Sequence, residues 1–137
     1  MLKILIVDDE PDICELIHKL IDWEELELTS LGSSQNGIDA MEIILRQKPD
    51  IVITDIQMPG MDGMETAKML RQDNENMILI FVTAAEEYVF QAFDVGAFHY
   101  LVKPFSDEKL KEVVTKAVHN IKRSFKLEKD EKYIMVQ

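Results

Sequence analysis

The chain has 137 residues, a length that suits one domain, and 47% of them are hydrophobic, which excludes a disordered polypeptide and is typical of a globular protein. Its formal net charge of −11, from 15 basic and 26 acidic residues, disfavours binding to the phosphates of nucleic acids. The single cysteine, Cys14, excludes a disulfide framework. No apolar run approaches the ~18–20 residues of a membrane span, so we expect a soluble, cytoplasmic protein.

Short apolar runs alternate with stretches of helical periodicity along the chain. The runs Leu2–Val7, Ile51–Thr54 and Ile78–Val82 are almost continuous in Ile, Val and Leu, which predicts strands buried on both faces. Glu27–Ser33 and His99–Val102 are weaker candidates for strands. Five strand–helix pairs in strict alternation predict an α/β sandwich, in which helices cover both sides of a parallel sheet.

The predicted helices are defined by apolar residues that recur with the period of a helix. The last helix is the longest, and Ser106 is its expected N-cap. The apolar stripes are Ile13, Leu16, Ile17, Leu20 and Ile21; Ile38, Met41, Ile44 and Leu45; Met64, Ala67 and Leu70; Tyr88, Val89, Ala92 and Phe93; and Leu110, Val113, Val114, Ala117, Val118 and Ile121.

Residues 122–137 lose this apolar period, which predicts the end of the last helix followed by a linker. We therefore divide the chain into a domain at residues 1–121 and a segment at residues 122–137 that we expect to lead toward a domain absent from this chain.

Chemically active side chains follow the predicted strands. Asp8–Glu10 come after the first strand, Asp55 after the third, Thr83 after the fourth and Lys103 after the fifth. In open parallel sheets the functional site lies at the carboxyl ends of the strands. Converging carboxylates repel one another unless a cation bridges them, and Mg²⁺ prefers carboxylates, waters and phosphate oxygens. An aspartate beside Mg²⁺ can attack phosphorus, while a lysine and a hydroxyl group bind the phosphoryl oxygens.

Four motifs at these positions resemble the receiver domain of two-component response regulators. They are Asp-Asp-Glu at 8–10, Ile-Thr-Asp-Ile-Gln-Met-Pro-Gly-Met-Asp-Gly at 53–63, Val-Thr-Ala at 82–84 and Tyr-Leu-Val-Lys-Pro-Phe at 100–105. Their order and spacing make the resemblance specific, and it covers residues 2 to about 121. It implies a flavodoxin-like (βα)5 sandwich with a parallel sheet in the strand order 2-1-3-4-5.

The resemblance also implies a metal and a phosphoacceptor. Asp55 would receive a phosphoryl group from a sensor histidine kinase. Asp9, Asp55 and the backbone carbonyl of Gln57 would ligate Mg²⁺ directly, and Asp8 would act mainly through a bound water. Because Asp8 and Asp9 precede Pro11, we also expect them to cap the first helix.

The remaining family positions imply a conformational switch. Thr83 and Tyr100 match the switch pair, Lys103 matches the phosphate-binding lysine, and Lys103-Pro104 would be a cis peptide. Such a domain is a phosphoacceptor with slow self-phosphatase activity and not a turnover enzyme. Phosphorylation in similar receivers produces a symmetric dimer, which we also expect here.

A further resemblance concerns the output. Ile-Asp-Trp-Glu-Glu-Leu at 21–26, together with the motif around Asp55, is similar to receivers fused to an AraC-type helix-turn-helix domain. The parent protein would then be a transcription factor that binds DNA only through a C-terminal domain outside this chain.

Three alternatives compete with a phosphorylated receiver. A hydrolase of the haloacid dehalogenase class needs a second aspartate two residues after the nucleophile, where this chain has Gln57. An FMN carrier of flavodoxin type needs a hydroxyl- and glycine-rich loop after the first strand, where this chain has three acidic residues. The third alternative is a receiver-like interaction module that works without phosphorylation.

Overall fold

Strands and helices alternate in the computed structural model, which describes residues 1–58, 63–74 and 76–136, without the side chains of residues 63, 66, 70, 73 and 127–136. The strands are β1 (Leu2–Val7), β2 (Leu28–Ser34), β3 (Ile51–Thr54), β4 (Ile78–Thr83) and β5 (His99–Val102). The helices are α1 (Pro11–Leu20), α2 (Gly37–Gln47), α3 (Gly63–Asp73), α4 (Val89–Asp94) and α5 (Asp107–Val136), and a 3-10 turn at Glu86–Tyr88 precedes α4.

The strands form one parallel sheet in the order β2-β1-β3-β4-β5, which confirms the predicted flavodoxin-like topology. Val7 pairs with Thr54 at the end of β1 and β3, and Thr83 pairs with Val102 at the end of β4 and β5. The residues that follow these strands are therefore brought to one edge of the sheet.

Alternate residues of each strand enter two separate cores. On β1, Ile4 and Ile6 pack in the core that α1 and α5 cover, while Leu5 and Val7 pack in the core that α2, α3 and α4 cover. All four side chains are almost completely buried. The nearly continuous apolar runs of the sequence are explained by this burial on both faces. None of the helices described in the structure is long and apolar enough to cross a membrane.

The buried face of α2 differs from the predicted stripe. Ile38 is 66% exposed and Leu45 is 55% exposed, so both predicted core positions are wrong. The helix instead buries Gly37, Ala40 and Ile44. Met41 and Ile43 are partly buried against the same core, so the buried face is rotated away from Ile38 and Leu45.

The last helix is longer than predicted. Ser106 Oγ accepts a hydrogen bond from the Lys109 N–H at 3.1 Å, which confirms the predicted cap at its start. Residues 122–137 were predicted to hold the end of this helix and a linker, but α5 continues to Val136, so residues 122–136 are helical. Residues 122–136 contain no glycine or proline and are rich in Lys, Glu and other good helix formers, so nothing in them ends the helix.

Arg71, near the end of α3, ties together the edge of the sheet opposite the site. Its Nε donates to the carbonyl of Val95 at 3.1 Å, and its Nη2 donates to the carbonyl of Gly96 at 3.0 Å. Its Nη1 donates to the carbonyls of Asn74 and Met77. Arg71 therefore links the end of α3, the start of β4 and the turn between α4 and β5.

Candidate functional site

The carboxyl edge of the sheet brings together buried polar side chains from β1, β3, β4 and β5. Asp8 is 1% exposed, Asp55 6% and Thr83 1%. The strand hydrogen bonding continues past the strand ends, since the Asp55 N–H donates to the Val7 carbonyl at 2.9 Å and the Lys103 N–H donates to the Thr83 carbonyl at 2.8 Å. These backbone hydrogen bonds therefore fix the positions from which the side chains of Asp55 and Lys103 extend.

Lys103 bridges the carboxylates of two different strands. Its Nζ lies 2.8 Å from Oδ2 of Asp8 and 3.0 Å from Oδ2 of Asp55, and its side chain is 12% exposed. The Lys103-Pro104 peptide is cis, as predicted. Burial lowers the pKa of Lys103, but the carboxylates of Asp8 and Asp55 beside its ammonium raise the pKa more, so the net shift is upward and the ammonium stays charged.

Asp8 is the most deeply buried carboxylate of the site. Its Oδ1 accepts a hydrogen bond from the Glu10 N–H at 2.9 Å. Its Oδ2 forms the ion pair with Lys103, although the two atoms are not aligned as a hydrogen bond. Burial raises the pKa of Asp8, and the opposing effects of Lys103 and of the Glu10 N–H do not cancel this shift. A buried oxygen with no aligned donor suits a cation.

The predicted capping role of Asp8 and Asp9 is wrong. The N-cap of α1 is Glu10, and no side chain provides a capping hydrogen bond there. Asp8 uses its carboxylate on the Glu10 N–H and on Lys103, while Asp9 is exposed. Pro11 stands at the first helical position, which has no N–H that needs an acceptor.

The residues predicted to hold Mg²⁺ meet only in part. Carboxylate oxygens of Asp8, Asp9 and Glu10 lie within 4.8 Å of one another, whereas Asp55 joins this group through Lys103. Gln57 has an exposed side chain, and its N–H donates to Oδ1 of Asp55 at 3.2 Å. The available donors are oxygens, which Mg²⁺ prefers, so these residues fit that ion.

The predicted switch residues meet at Ala85, in the loop after β4. Thr83 Oγ1 accepts from the Ala85 N–H at 3.3 Å, and the Tyr100 hydroxyl donates to the Ala85 carbonyl. Tyr100 is only 9% exposed, so its ring already occupies a buried position beneath this loop. Burial, assisted by the charges of Glu87 and Asp55, raises the pKa of Tyr100.

Sequence reasoning missed three contacts around these residues. Glu10 Oε1 lies 3.5 Å from Lys103 Nζ, and Thr54 Oγ1 donates to the Asp55 carbonyl at 2.9 Å. The third is the role of Ala85, which acts through its backbone. The Asp-Asp-Glu motif did place Glu10 at the correct edge, whereas Ala85 takes part only through its backbone, so its residue type gave no signal.

Residues 4–115 match the family described as the response regulator receiver domain. The chain belongs to this family. As a receiver domain it is a phosphoacceptor signalling module of two-component systems and not a turnover enzyme, which argues against the hydrolase alternative.

Curated relatives include transcriptional regulators. The chain is 40% identical over 116 residues to the positive alginate biosynthesis regulatory protein of Pseudomonas aeruginosa, covering 85% of this chain and 47% of the relative. It is 35% identical over 125 residues to the uncharacterized transcriptional regulatory protein YesN of Bacillus subtilis, covering 90% of this chain and 34% of the relative. The chain thus spans less than half the length of either protein.

Solved structures of receivers have the same fold. The receiver domain of the response regulator AraT from Geobacillus stearothermophilus superposes with a TM-score of 0.85 and 34% identity, covering 90% of this chain and 97% of that chain. The chemotaxis protein CheY4 of Vibrio cholerae gives a TM-score of 0.74 and 26% identity, covering 85% of this chain and 98% of that chain.

Proposed function

We propose that this chain is a phosphorylation switch, in which Asp55 receives a phosphoryl group from the phosphohistidine of a sensor histidine kinase in a Mg²⁺-dependent reaction. The observation that supports this most strongly is the position of Lys103 Nζ between Asp8 and Asp55, at 2.8 and 3.0 Å, inside a nearly buried site. Such an ammonium group reduces the repulsion between two neighbouring carboxylates and can also neutralise phosphoryl oxygens.

In the proposed transfer, a carboxylate oxygen of Asp55 attacks phosphorus as the P–N bond breaks, and the imidazole leaves with the bonding electron pair. The Gln57 N–H holds Oδ1 of Asp55, and Lys103 holds Oδ2, so the carboxylate is oriented from both sides. Thr83 Oγ1 accepts from Ala85 and retains its own proton, which it can donate to a phosphoryl oxygen. Slow hydrolysis by water would return Asp55 to its free form.

Mg²⁺ would be held by Asp9, Asp55 and the Gln57 carbonyl, with Asp8 acting through a water. When bound, this ion supplies positive charge that reduces the repulsion between the carboxylates and an incoming phosphoryl group. Asp8 contributes a buried oxygen with no aligned donor, and Asp9 contributes an exposed carboxylate beside it. This donor set supports the magnesium requirement.

The proposed output is transcriptional regulation through a phosphorylation-dependent homodimer and a fused DNA-binding domain, in the cytoplasm. Gln91 and Lys111 are exposed and Tyr88 and His99 are half-buried on the surface formed by α4, β5 and α5. Two curated relatives are named as regulatory proteins, one of them transcriptional, and both are longer than this chain. These observations support an output carried by another part of the parent protein.

The transfer is tested by incubating the protein with acetyl phosphate and Mg²⁺ and measuring its mass. We expect the addition of one phosphoryl group, which Asp55→Asn or EDTA abolishes. Asp12→Asn, which neutralises an exposed acid on α1, is the matched control and should retain the modification. Modification that persists in Asp55→Asn would falsify the assignment. A wild-type chain that neither acetyl phosphate nor a phosphorylated histidine kinase modifies would favour the phosphorylation-independent module.

A further inference from the structure

We infer that Glu10 selects among phosphodonors by charge, disfavouring dianionic acyl phosphates relative to donors that carry one net negative charge, such as phosphoramidates. This inference rests on the proposed transfer to Asp55 and assigns to Glu10 a role in donor specificity, not in the transfer itself.

Glu10 is the solvent-facing member of the charged cluster around Lys103. Its Oε1 lies 3.5 Å from Lys103 Nζ, and its side chain is 60% exposed, whereas the side chain of Lys103 is 12% exposed. The side chains of Asp8 and Asp55, which hold the same ammonium, are 1% and 8% exposed. Glu10 therefore places its charge where Lys103 meets the solvent.

The side chains around Lys103 carry a net negative charge. One ammonium, that of Lys103, faces the carboxylates of Asp8, Asp55 and Glu10 within 3.5 Å. A phosphoryl group that comes to lie against Lys103 must approach the ammonium that Glu10 also contacts. The repulsion from Glu10 grows with the charge of the donor, and it is screened less at this rim than it would be in bulk water.

Two small phosphodonors differ in their net charge. At neutral pH acetyl phosphate carries two negative charges, and transfer to Asp55 breaks its P–O bond and releases acetate. Phosphoramidate is a zwitterion with one net negative charge, and transfer breaks its P–N bond and releases neutral ammonia. Both reactions give the same aspartyl phosphate, so their rates can be compared on one product.

The test measures the rate constants of phosphorylation by each donor at saturating Mg²⁺ in the wild type, Glu10→Gln and Glu10→Asp. Glu10→Gln should raise the ratio of the acetyl phosphate rate to the phosphoramidate rate about three- to tenfold, as expected for removing one charge close to the donor. Glu10→Asp keeps the charge and should keep the ratio near the wild-type value. The increase should shrink as ionic strength rises.

Glu15→Gln is the matched control, because Glu15 is an exposed acid on α1 that pairs with Lys19 at 3.3 Å. It should leave the ratio unchanged. An unchanged ratio in Glu10→Gln, or an equal rise in Glu15→Gln, would overturn the role of Glu10 while leaving phosphorylation of Asp55 intact. A wild-type chain that neither donor phosphorylates would overturn the proposed function as well.

Discussion

Thr83 and Tyr100 hold the two polar backbone groups of a single residue. The Thr83 hydroxyl accepts the N–H of Ala85 at 3.3 Å, and the Tyr100 hydroxyl donates to the carbonyl of the same residue. One side chain comes from the end of β4 and the other from β5, so the loop between β4 and α4 is held from two strands. A displacement of Thr83 therefore reaches Tyr100 through one residue.

This shared partner predicts that the two side chains are energetically coupled. Thr83→Val and Tyr100→Phe should each reduce the free energy of unfolding by about 1 kcal/mol, because each leaves a polar group of Ala85 without its partner. The loss of unfolding free energy in the double variant should be smaller than the sum of the two single losses by at least about 0.5 kcal/mol, because either change alone releases the same loop. Urea unfolding of the four proteins measures this, and strict additivity would contradict it. Thr29→Val, at an exposed threonine of β2, controls for the loss of a hydroxyl.

The raised pKa of Asp8 predicts that its charge destabilises the fold at neutral pH. Because burial lifts the pKa in the folded state above the unfolded value, stability is greatest below the unfolded pKa and is lost as the pH rises through the folded one. Without Mg²⁺, Asp8→Asn should therefore raise the stability at pH 7 by about 1 kcal/mol, or roughly 3–5 °C in Tm. Asp12→Asn should change it little, because Asp12 is exposed.

Adding Mg²⁺ should reverse the order of stability, so that the wild type becomes more stable than Asp8→Asn. The ion stabilises a wild-type fold that binds it, whereas Asp8→Asn removes one of the charged oxygens of the site. Thermal unfolding with EDTA and with excess Mg²⁺ tests both halves of the prediction. A variant that is less stable than the wild type in EDTA would show that the ion pair with Lys103 outweighs the burial of Asp8.

Removing Lys103 should be strongly destabilising. Lys103→Met would leave the buried carboxylates of Asp8 and Asp55 without their cation, and breaking one partner of a buried pair typically costs about 3–5 kcal/mol. The cost should decrease at acid pH, where Asp8, whose pKa burial raises, is protonated. Asp8→Asn should restore part of the stability in the Lys103→Met background. If the cost in chemical denaturation is the same at pH 4 and pH 7, the carboxylates are not its cause.

Phosphorylation should change the oligomeric state. We expect the free domain to be mainly monomeric, and beryllofluoride with Mg²⁺, which mimics an aspartyl phosphate, should shift it toward a dimer through α4, β5 and α5. Thr83→Ala should still bind the mimic but should dimerise poorly, because the link to Ala85 is lost. Sedimentation velocity with and without the mimic tests this. Equal monomer fractions in both states would refute the dimer switch without affecting the phosphorylation site.

The sheet could be predicted from the sequence because strands buried on both faces leave uninterrupted apolar runs. The bounds predicted for β1 and β3 agree with the structure, and the predicted β4 was one residue shorter than the observed strand. The face of α2 could not be predicted in the same way. Ile38 and Leu45 fit a helical stripe as well as Ile44 does, and only the tertiary packing, which buries Gly37 and Ala40, decides which residues face the core.

The site was predictable as a set of residues but not as a set of contacts. Strand ends fixed the neighbourhood of Asp8, Asp55, Thr83 and Lys103, since parallel strands bring their carboxyl ends to one edge. The path of Tyr100 to the Ala85 carbonyl depends on how the loop after β4 folds. Ser106 was predictable because N-caps favour serine, whereas the Ala85 carbonyl would be the same whatever residue stood there.

The contacts of Arg71 hold the C-terminal end of α4 in place. The turn that follows this six-residue helix is secured at Val95 and Gly96, at the edge of the sheet away from Asp55. We expect a displacement that starts at Ala85 to act on the opposite end of α4, so that the helix would tilt about its secured end. Phe90, which is 83% exposed, would then sweep across the outer surface. A small movement of the buried Thr83 hydroxyl group would in this way change the shape of an exposed apolar surface.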